Sequence, residues 1–161
     1  MSKKNLLAVP VYCAVAGFVS FYLIVYILGR FALTTLPDGT ITADSAREVM
    51  VYGLVMVLTV LIGALGPFRS MTRKELFYSA SVMVGFQLLV ILAQYLLSGG
   101  QGVTASFWIY LSQVGEWSRF VSQLPLQTGL TDNLWLAGVL EAFAPYVFVL
   151  FGRKTPAKVT A

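Results

Sequence analysis

The sequence predicts an all-α integral membrane protein with four transmembrane helices, and three observations support this class. Of the 161 residues, 58% are hydrophobic and 11% are charged, and the mean hydropathy is +0.80. This polar content is too small to coat a water-soluble domain of the same size. Four apolar runs are each long enough to cross about 30 Å of hydrocarbon as a helix. The basic residues flank these runs. We therefore expect a single polytopic membrane domain over residues 1–161.

The four apolar runs are bounded by sequence signals for helix starts and ends. The predicted transmembrane helices are 6–29, 49–68, 76–97 and 134–152. Ser45 with Glu48, and Thr72 with Glu75, have the spacing of a capping box in front of the second and third runs. Pro67 closes the second run, because proline disfavours helical geometry in the residue before it.

The distribution of Lys and Arg predicts the orientation of the helices. Cytoplasmic loops next to membrane helices are enriched in both residue types. The side that would hold both termini carries eight of the eleven, namely Lys3, Lys4, Arg69, Arg73, Lys74, Arg153, Lys154 and Lys158. The other side carries Arg30, Arg47 and Arg119. We expect a multi-pass protein of the cell membrane with a cytoplasmic N-terminus and C-terminus, and a short flexible tail at 155–161.

The segment from about residue 105 to residue 124 has the pattern of an amphipathic helix. Its apolar face is formed by Phe107, Tyr110, Val114, Trp117, Val121 and Leu124. Polar residues fall elsewhere on the wheel, and Pro125 is expected to end the helix. Because Trp and Tyr favour the membrane interface, we expect this helix to lie on the outer surface. A cap folded over the outer mouth of the bundle is the alternative.

Residue types that are rare or absent exclude several kinds of chemistry. The sequence has no His and a single Cys, so it lacks the commonest ligand of haem and transition metals and cannot form an intrachain disulfide. Zinc-protease and phosphate-binding motifs are absent. We expect no metal site, no cofactor and no nucleic-acid partner. The expected partner is the lipid bilayer, and assembly into a homo-oligomer or a larger membrane complex is left open.

Each predicted helix carries one polar residue at a similar distance from its outer end. Glu141 lies seven residues in, Ser20 nine, and Thr59 and Gln87 ten. These positions correspond to roughly 10 to 15 Å of depth, near the middle of a bilayer. Polar groups at that depth need partners, because their burial in hydrocarbon is costly. We therefore treat Ser20, Thr59, Gln87 and Glu141, called the polar layer below, as a candidate substrate-binding site.

Glu141 is the ionisable residue that lies well inside a predicted helix. We expect either a protonated carboxyl or a cationic side chain that reaches down from Arg30 or Arg47. A structural role would be a hydrogen bond to another residue of the polar layer. A functional role would be exchange of a proton or cation. Pro145, four residues further on, is expected to kink the helix.

Three function classes fit these features. A small transporter, channel or membrane solute-binding protein would use the polar layer centred on Glu141, and we favour this class. A non-catalytic accessory or assembly subunit of a larger membrane complex would need only apolar faces and short loops. A membrane enzyme acting on lipid or peptide has the least support, because Glu141 alone would have to carry catalysis. No catalytic residue is assigned, and we do not expect an enzyme.

Overall fold

The computed structural model describes residues 3–97, 111 and 113–153, which are helical apart from one two-stranded hairpin and the short connections. Four helices in these ranges are long and apolar enough to cross a membrane. They are Ala8–Ala32, Ser45–Leu65, Arg73–Leu97 and Leu134–Phe151, called the first to fourth long helices below. Each predicted boundary agrees with the observed one to within four residues. The predicted tail at 155–161 lies outside the described residues.

The N-terminal part of the chain changes helix type twice. It comprises α1 (Lys3–Leu6), α2 (Ala8–Leu23), a π-helical turn (Ile24–Leu28) and α3 (Gly29–Ala32). The break between α1 and α2 follows from Pro10, which has no amide to donate to the Leu6 carbonyl. Ser79 of the third long helix donates to that carbonyl instead, at 2.8 Å, and accepts from the Val9 amide at 2.9 Å.

A short hairpin connects the first and second long helices. It is formed by β1 (Leu33–Thr35) and β2 (Ile41–Ala43), which pair antiparallel. Gly39 in the turn has a φ of +84°, a conformation that favours glycine. The Asp38 carboxylate accepts hydrogen bonds from the Thr40 hydroxyl and amide at 2.7 and 2.9 Å, and these bonds lower the pKa of Asp38. We call this end of the bundle the hairpin end.

The second long helix, α4 (Ser45–Leu65), begins four residues before its predicted start. Its N-cap is Asp44, whose carboxylate accepts from the amides of Ala46 and Arg47 at 3.0 and 3.1 Å. The predicted cap at Ser45 was therefore wrong by one residue. Aspartate and serine are both favoured at this position, so residue type alone did not separate them.

The third long helix, α5 (Arg73–Leu97), begins with the predicted capping box. The Glu75 carboxylate accepts from the Thr72 amide at 3.0 Å, and the Thr72 hydroxyl accepts from the Glu75 amide at 3.3 Å. Asn5 also donates to Glu75, at 2.7 Å. Near the other end of the chain, the Arg153 amide donates to the Met71 carbonyl at 3.0 Å. Both ends of the described chain therefore lie at one end of the bundle, called the terminal end below.

Residues 113–127 form an inserted segment that packs among the long helices. It comprises a 3-10 helix (Gln113–Ser118) and α6 (Phe120–Gln127). A Cβ atom added at Gly17 of the first long helix would lie 2.2 Å from the Gln113 carbonyl oxygen and 2.6 Å from that of Val114. This contact is between backbones, so it requires glycine at position 17.

Helix α6 runs from the interior toward the hairpin end. At its start, the Phe120 ring lies 3.2 Å from the place where a Cβ of Gly53 would be. At its end, the Gln127 amide nitrogen lies 3.5 Å from a carboxylate oxygen of Glu48, in the first turn of α4.

The inserted segment differs from the amphipathic surface helix predicted for residues 105–124. The 3-10 helix and α6 are separate, and Pro125 lies inside α6 instead of ending it. Residues of the predicted polar face are buried, including Gln113, Glu116 and Ser122. The prediction was wrong because polar groups can be satisfied inside a protein, so helical periodicity does not require water on the polar side. Residues 105–110 and 112 lie outside the described part.

The fourth long helix combines two helix types. It consists of α7 (Leu134–Ala142) and a 3-10 helix (Ala144–Phe151). Asn133 caps α7 by accepting from the amides of Trp135 and Leu136 at 3.0 and 3.1 Å. The change occurs at Phe143, two residues before Pro145, so the predicted disruption takes the form of a change in helix type. Since a 3-10 helix rises faster than an α-helix, this 18-residue helix extends about 30 Å.

An aromatic core fills the bundle toward the terminal end. Phe68, Trp117 and Phe148 are fully buried, and the ring centroid of Phe148 lies 4.7 Å from that of Phe68 and 5.4 Å from that of Trp117. The Tyr12 ring meets Phe68 edge-on at 5.0 Å. Burial of such large rings is a main source of packing energy. Because Trp117 belongs to the inserted segment, that segment is part of the core.

Candidate functional site

Glu141 is placed so that its two carboxylate oxygens have different surroundings. Oε2 accepts a hydrogen bond from the hydroxyl of Ser122 on α6. Oε1 faces Gly115 of the 3-10 helix, and a Cβ added there would lie 3.0 Å from it. The amide nitrogen of Gln87 on α5 lies 3.4 Å from the same point. Because glycine has no side chain, Gly115 leaves space between Glu141 and Gln87.

This space belongs to a cavity of about 150 Å³ between α5, α7 and the inserted segment. Among the described residues that line it, Gln87, Gln94 and Glu141 have polar side chains and the others are apolar. Gln87 is 9% exposed, and its Oε1 has no hydrogen-bond partner among the described residues. Buried polar groups are nearly always hydrogen-bonded in folded proteins. The Gln87 amide therefore has unused hydrogen-bonding capacity beside the cavity.

An ion pair lies on the other side of Ser122. Arg119 donates to the buried carboxylate of Glu116 at 2.8 Å, and its guanidinium lies 5.7 Å from the ring centroid of Tyr52. Both Arg119 and Glu116 are close enough to act electrostatically on Glu141. Within the described residues, Glu141 itself forms no salt bridge. The positive charge of Arg119 is thus matched by Glu116, and the carboxyl of Glu141 has no cation of its own.

Neither of the cationic partners predicted for Glu141 forms a salt bridge with it in the part of the chain that the structure describes. Arg30 is exposed, and the Arg47 guanidinium lies 3.7 Å from the carboxylate of Asp44. The expectation of a cation reaching down from the hairpin end was therefore wrong. The nearby guanidinium comes from Arg119, which the sequence pattern had assigned to the polar face of a surface helix.

Ser20 and Thr59 line a second cavity, between the first and second long helices. This cavity has a volume of about 260 Å³, and among the described residues that line it Tyr12 also has a polar side chain. The Tyr12 hydroxyl donates to the Thr59 carbonyl at 2.6 Å. The structure thus brings together Glu141 and Gln87 of the predicted polar layer, and it places Ser20 and Thr59 on a separate surface.

Several residues around Glu141 were not identified as site residues from the sequence. They are Gly115, Glu116, Arg119 and Ser122 of the inserted segment, and Tyr52 of α4. One signal was available: an apolar run too short to cross a membrane, as at 107–111, is typical of a re-entrant or core segment as well as of an interfacial one. The small residues Cys13 and Gly17, four apart, are typical of close helix contact, but they did not identify residues 113–118 as the element that packs there.

Comparisons with known protein families, with curated proteins and with solved structures find no match. Function is therefore inferred from the geometry and chemistry of the site.

Proposed function

We propose that the protein is a small membrane transport or solute-binding protein. In this proposal the Glu141 carboxyl binds and releases a proton or a cation, and the adjoining cavity holds the bound solute, called the guest below. The observation that carries this proposal is the asymmetry of the carboxyl. Ser122 engages one oxygen, and the other faces an otherwise largely apolar cavity beside an amide oxygen that has no partner within the described residues. Ionisable residues inside membrane bundles are costly, and they commonly mark pathways for ions or solutes.

Polar groups between the hairpin end and Glu141 support a path to this site. Glu48 contacts Gln127 near the hairpin end, and Tyr52 lies one turn further along α4, under the Arg119 guanidinium. Arg119 directly precedes the first residue of α6 and lies three residues before Ser122 in the chain. The inserted segment and α4 therefore place polar side chains between the hairpin end and Glu141, and these would lower the free-energy cost of moving a cation along this route.

The proposal includes insertion in the cell membrane with both termini in the cytoplasm. The terminal end carries Arg69, Arg73, Lys74 and Arg153, in accord with the enrichment of basic residues in cytoplasmic loops. With Cys13 replaced by Ser, Ser70→Cys should react with an impermeant maleimide only in opened cells, and Thr42→Cys should react in intact cells. The reverse pattern would invert the proposed orientation.

The functional test uses purified protein in liposomes that contain a pH-sensitive dye. A pH gradient is imposed, and chloride salts of sodium, potassium and methylammonium are added outside, with protein-free liposomes measuring passive leakage. We expect wild type to exchange internal protons for at least one of these cations. Glu141→Gln should lower this rate roughly tenfold or more, since a neutral amide cannot replace a charged partner. Asp132→Asn, at an exposed position outside the cavity, is the matched control.

Equal rates in wild type and Glu141→Gln would show that Glu141 takes no part in exchange. If wild type also matched protein-free liposomes and bound none of the three cations, Glu141 would be only a hydrogen-bonding link between helices. The accessory-subunit class would then replace the transport class.

A further inference from the structure

We infer that the guest of the Glu141 cavity is a small primary alkylammonium ion, which has a single positive charge, several N–H donors and a short apolar tail. This inference rests on the proposed function, and it adds the chemical class of the guest. It follows from the charges, the hydrogen-bonding groups and the size of the cavity.

The charges around the cavity call for one positive charge on the guest. Glu116 and Arg119 neutralise each other at 2.8 Å, and Arg119 is 44% exposed on its side chain. Glu141 is left with a hydrogen bond from a neutral hydroxyl. A buried carboxylate is stable only when it is paired, so a monovalent cation would complete the balance when Glu141 is ionised.

The ligand groups favour an organic cation over a metal ion. Metal ions such as Ca²⁺ take six or more oxygen ligands, commonly with several carboxylates. In the part of the chain that the structure describes, no group of three His, Cys, Asp or Glu side chains is placed to hold a metal ion. One carboxylate oxygen and neighbouring glutamine amides suit the N–H donors of an ammonium group instead, because charged donors form strong hydrogen bonds with carboxylates.

The shape of the cavity limits the tail of the guest. A volume of about 150 Å³ fits a molecule about the size of benzene. Apolar side chains, including Val90, Ile91 and Ala142, line the cavity beside Glu141 and Gln87. A short alkyl chain would bury its surface against them. These features select an ammonium head with a tail of a few carbon atoms.

The test measures binding to the full chain in lipid nanodiscs by calorimetry with three probes of similar size. The probes are n-butylammonium, 1-butanol, which lacks the charge, and tetramethylammonium, which lacks the N–H donors. Wild type should bind n-butylammonium roughly tenfold or more tightly than either of the others, the factor expected for one charge-assisted hydrogen bond. Glu141→Gln should reduce its affinity to that of 1-butanol. Glu141→Asp, which keeps the charge, should retain the preference if the Gln variant does not fold.

Each other outcome overturns the inference in a distinct way. Equal binding of 1-butanol and n-butylammonium would identify a neutral apolar guest, and equal binding of tetramethylammonium would remove the role of the N–H donors. In both cases the proposed function would still stand on the liposome assay. If no probe binds, the alkylammonium class is excluded. The proposed function would fail with it only if cation-driven proton exchange were also absent.

Discussion

Two cavities of this bundle contain residues of the predicted polar layer, yet they differ in chemistry. The cavity between the first and second long helices is the larger, at about 260 Å³. Its predicted polar residues, Ser20 and Thr59, supply only hydroxyl groups. The smaller cavity, at about 150 Å³, contains Glu141 and two glutamine amides.

The difference comes from the inserted segment. This segment donates a hydrogen bond from Ser122 to one carboxylate oxygen of Glu141, which fixes the carboxyl. It also places Gly115, which has no side chain, beside the other oxygen, so that this oxygen still faces the cavity. The described residues that line the Ser20 and Thr59 cavity all belong to the first and second long helices. The depth of a polar residue along its helix can therefore be estimated from the sequence. The elements packed around that residue decide whether it can contact a guest.

The largest effect is expected where the inserted segment meets the first long helix. In Gly17→Ala the added Cβ would lie 2.2 Å from a backbone oxygen, so the segment must move away or the bundle must open. We expect a loss of about 3 kcal/mol of stability, typical of severe overpacking. Gly85→Ala is the matched control, because a Cβ at Gly85 meets nothing within 4 Å.

These stabilities can be compared by thermal denaturation of the two variants in the same detergent. Only Gly17→Ala should also lose cation-driven proton exchange. A Gly17→Ala protein as stable and as active as Gly85→Ala would contradict the backbone contact on which the difference between the cavities depends.

The next largest effect is expected from substitutions of the polar residues that line the two cavities. Glu141→Gln should lower exchange in liposomes roughly tenfold or more, whereas Ser20→Ala and Thr59→Ala should stay within about twofold of wild type. Gln87→Ala should fall between them, because the amide contributes a neutral hydrogen bond and the carboxyl supplies the charge. Exchange that depends equally on Thr59 and Glu141 would show that the two cavities act as one site.

A smaller effect is expected from filling the space between Glu141 and Gln87. In Gly115→Ala the new methyl group would lie 3.0 Å from the Glu141 oxygen and 3.4 Å from the Gln87 nitrogen, both on flexible side chains that can shift. The protein should therefore fold. Its affinity for n-butylammonium, measured by calorimetry, should fall several-fold as the cavity shrinks. Unchanged affinity would place the guest outside this space.

The smallest effect is expected from a change remote from both cavities. Asp44→Ala removes the N-cap of α4 and should lower stability by about 1 kcal/mol. The rate of exchange and the affinity for guests should not change, because the cap lies at the hairpin end. This variant measures how far a modest loss of stability alone affects the assays used to compare the cavities.

The four long apolar helices could be predicted from the sequence, because hydropathy and helix signals are local properties. The capping box of Thr72 and Glu75 was found for the same reason. Near Pro145, where a kink was predicted, the fourth long helix changes from an α-helix to a 3-10 helix.

The position of residues 113–127 could not be predicted in this way. Trp117 and Val114 have the spacing expected for insertion in lipid, and the same spacing is satisfied by packing against other helices. The choice between the two depends on contacts distant in the sequence, such as Gly17 with Gln113 and Ser122 with Glu141. For the same reason, Arg119 could not be recognised as a neighbour of Glu141.

We infer that Glu141 has a chemically available carboxyl oxygen, unlike the paired carboxyl of Glu116. Diisopropylcarbodiimide, a small membrane-permeant reagent, converts accessible protonated carboxyls into stable acylureas, and mass spectrometry of peptides locates each one. In one preparation, Glu141 should be modified roughly tenfold or more faster than Glu116, since the ion pair with Arg119 must be broken at Glu116. Added n-butylammonium should slow the reaction at Glu141. Equal rates at the two residues, or an unreactive Glu141, would contradict the claim.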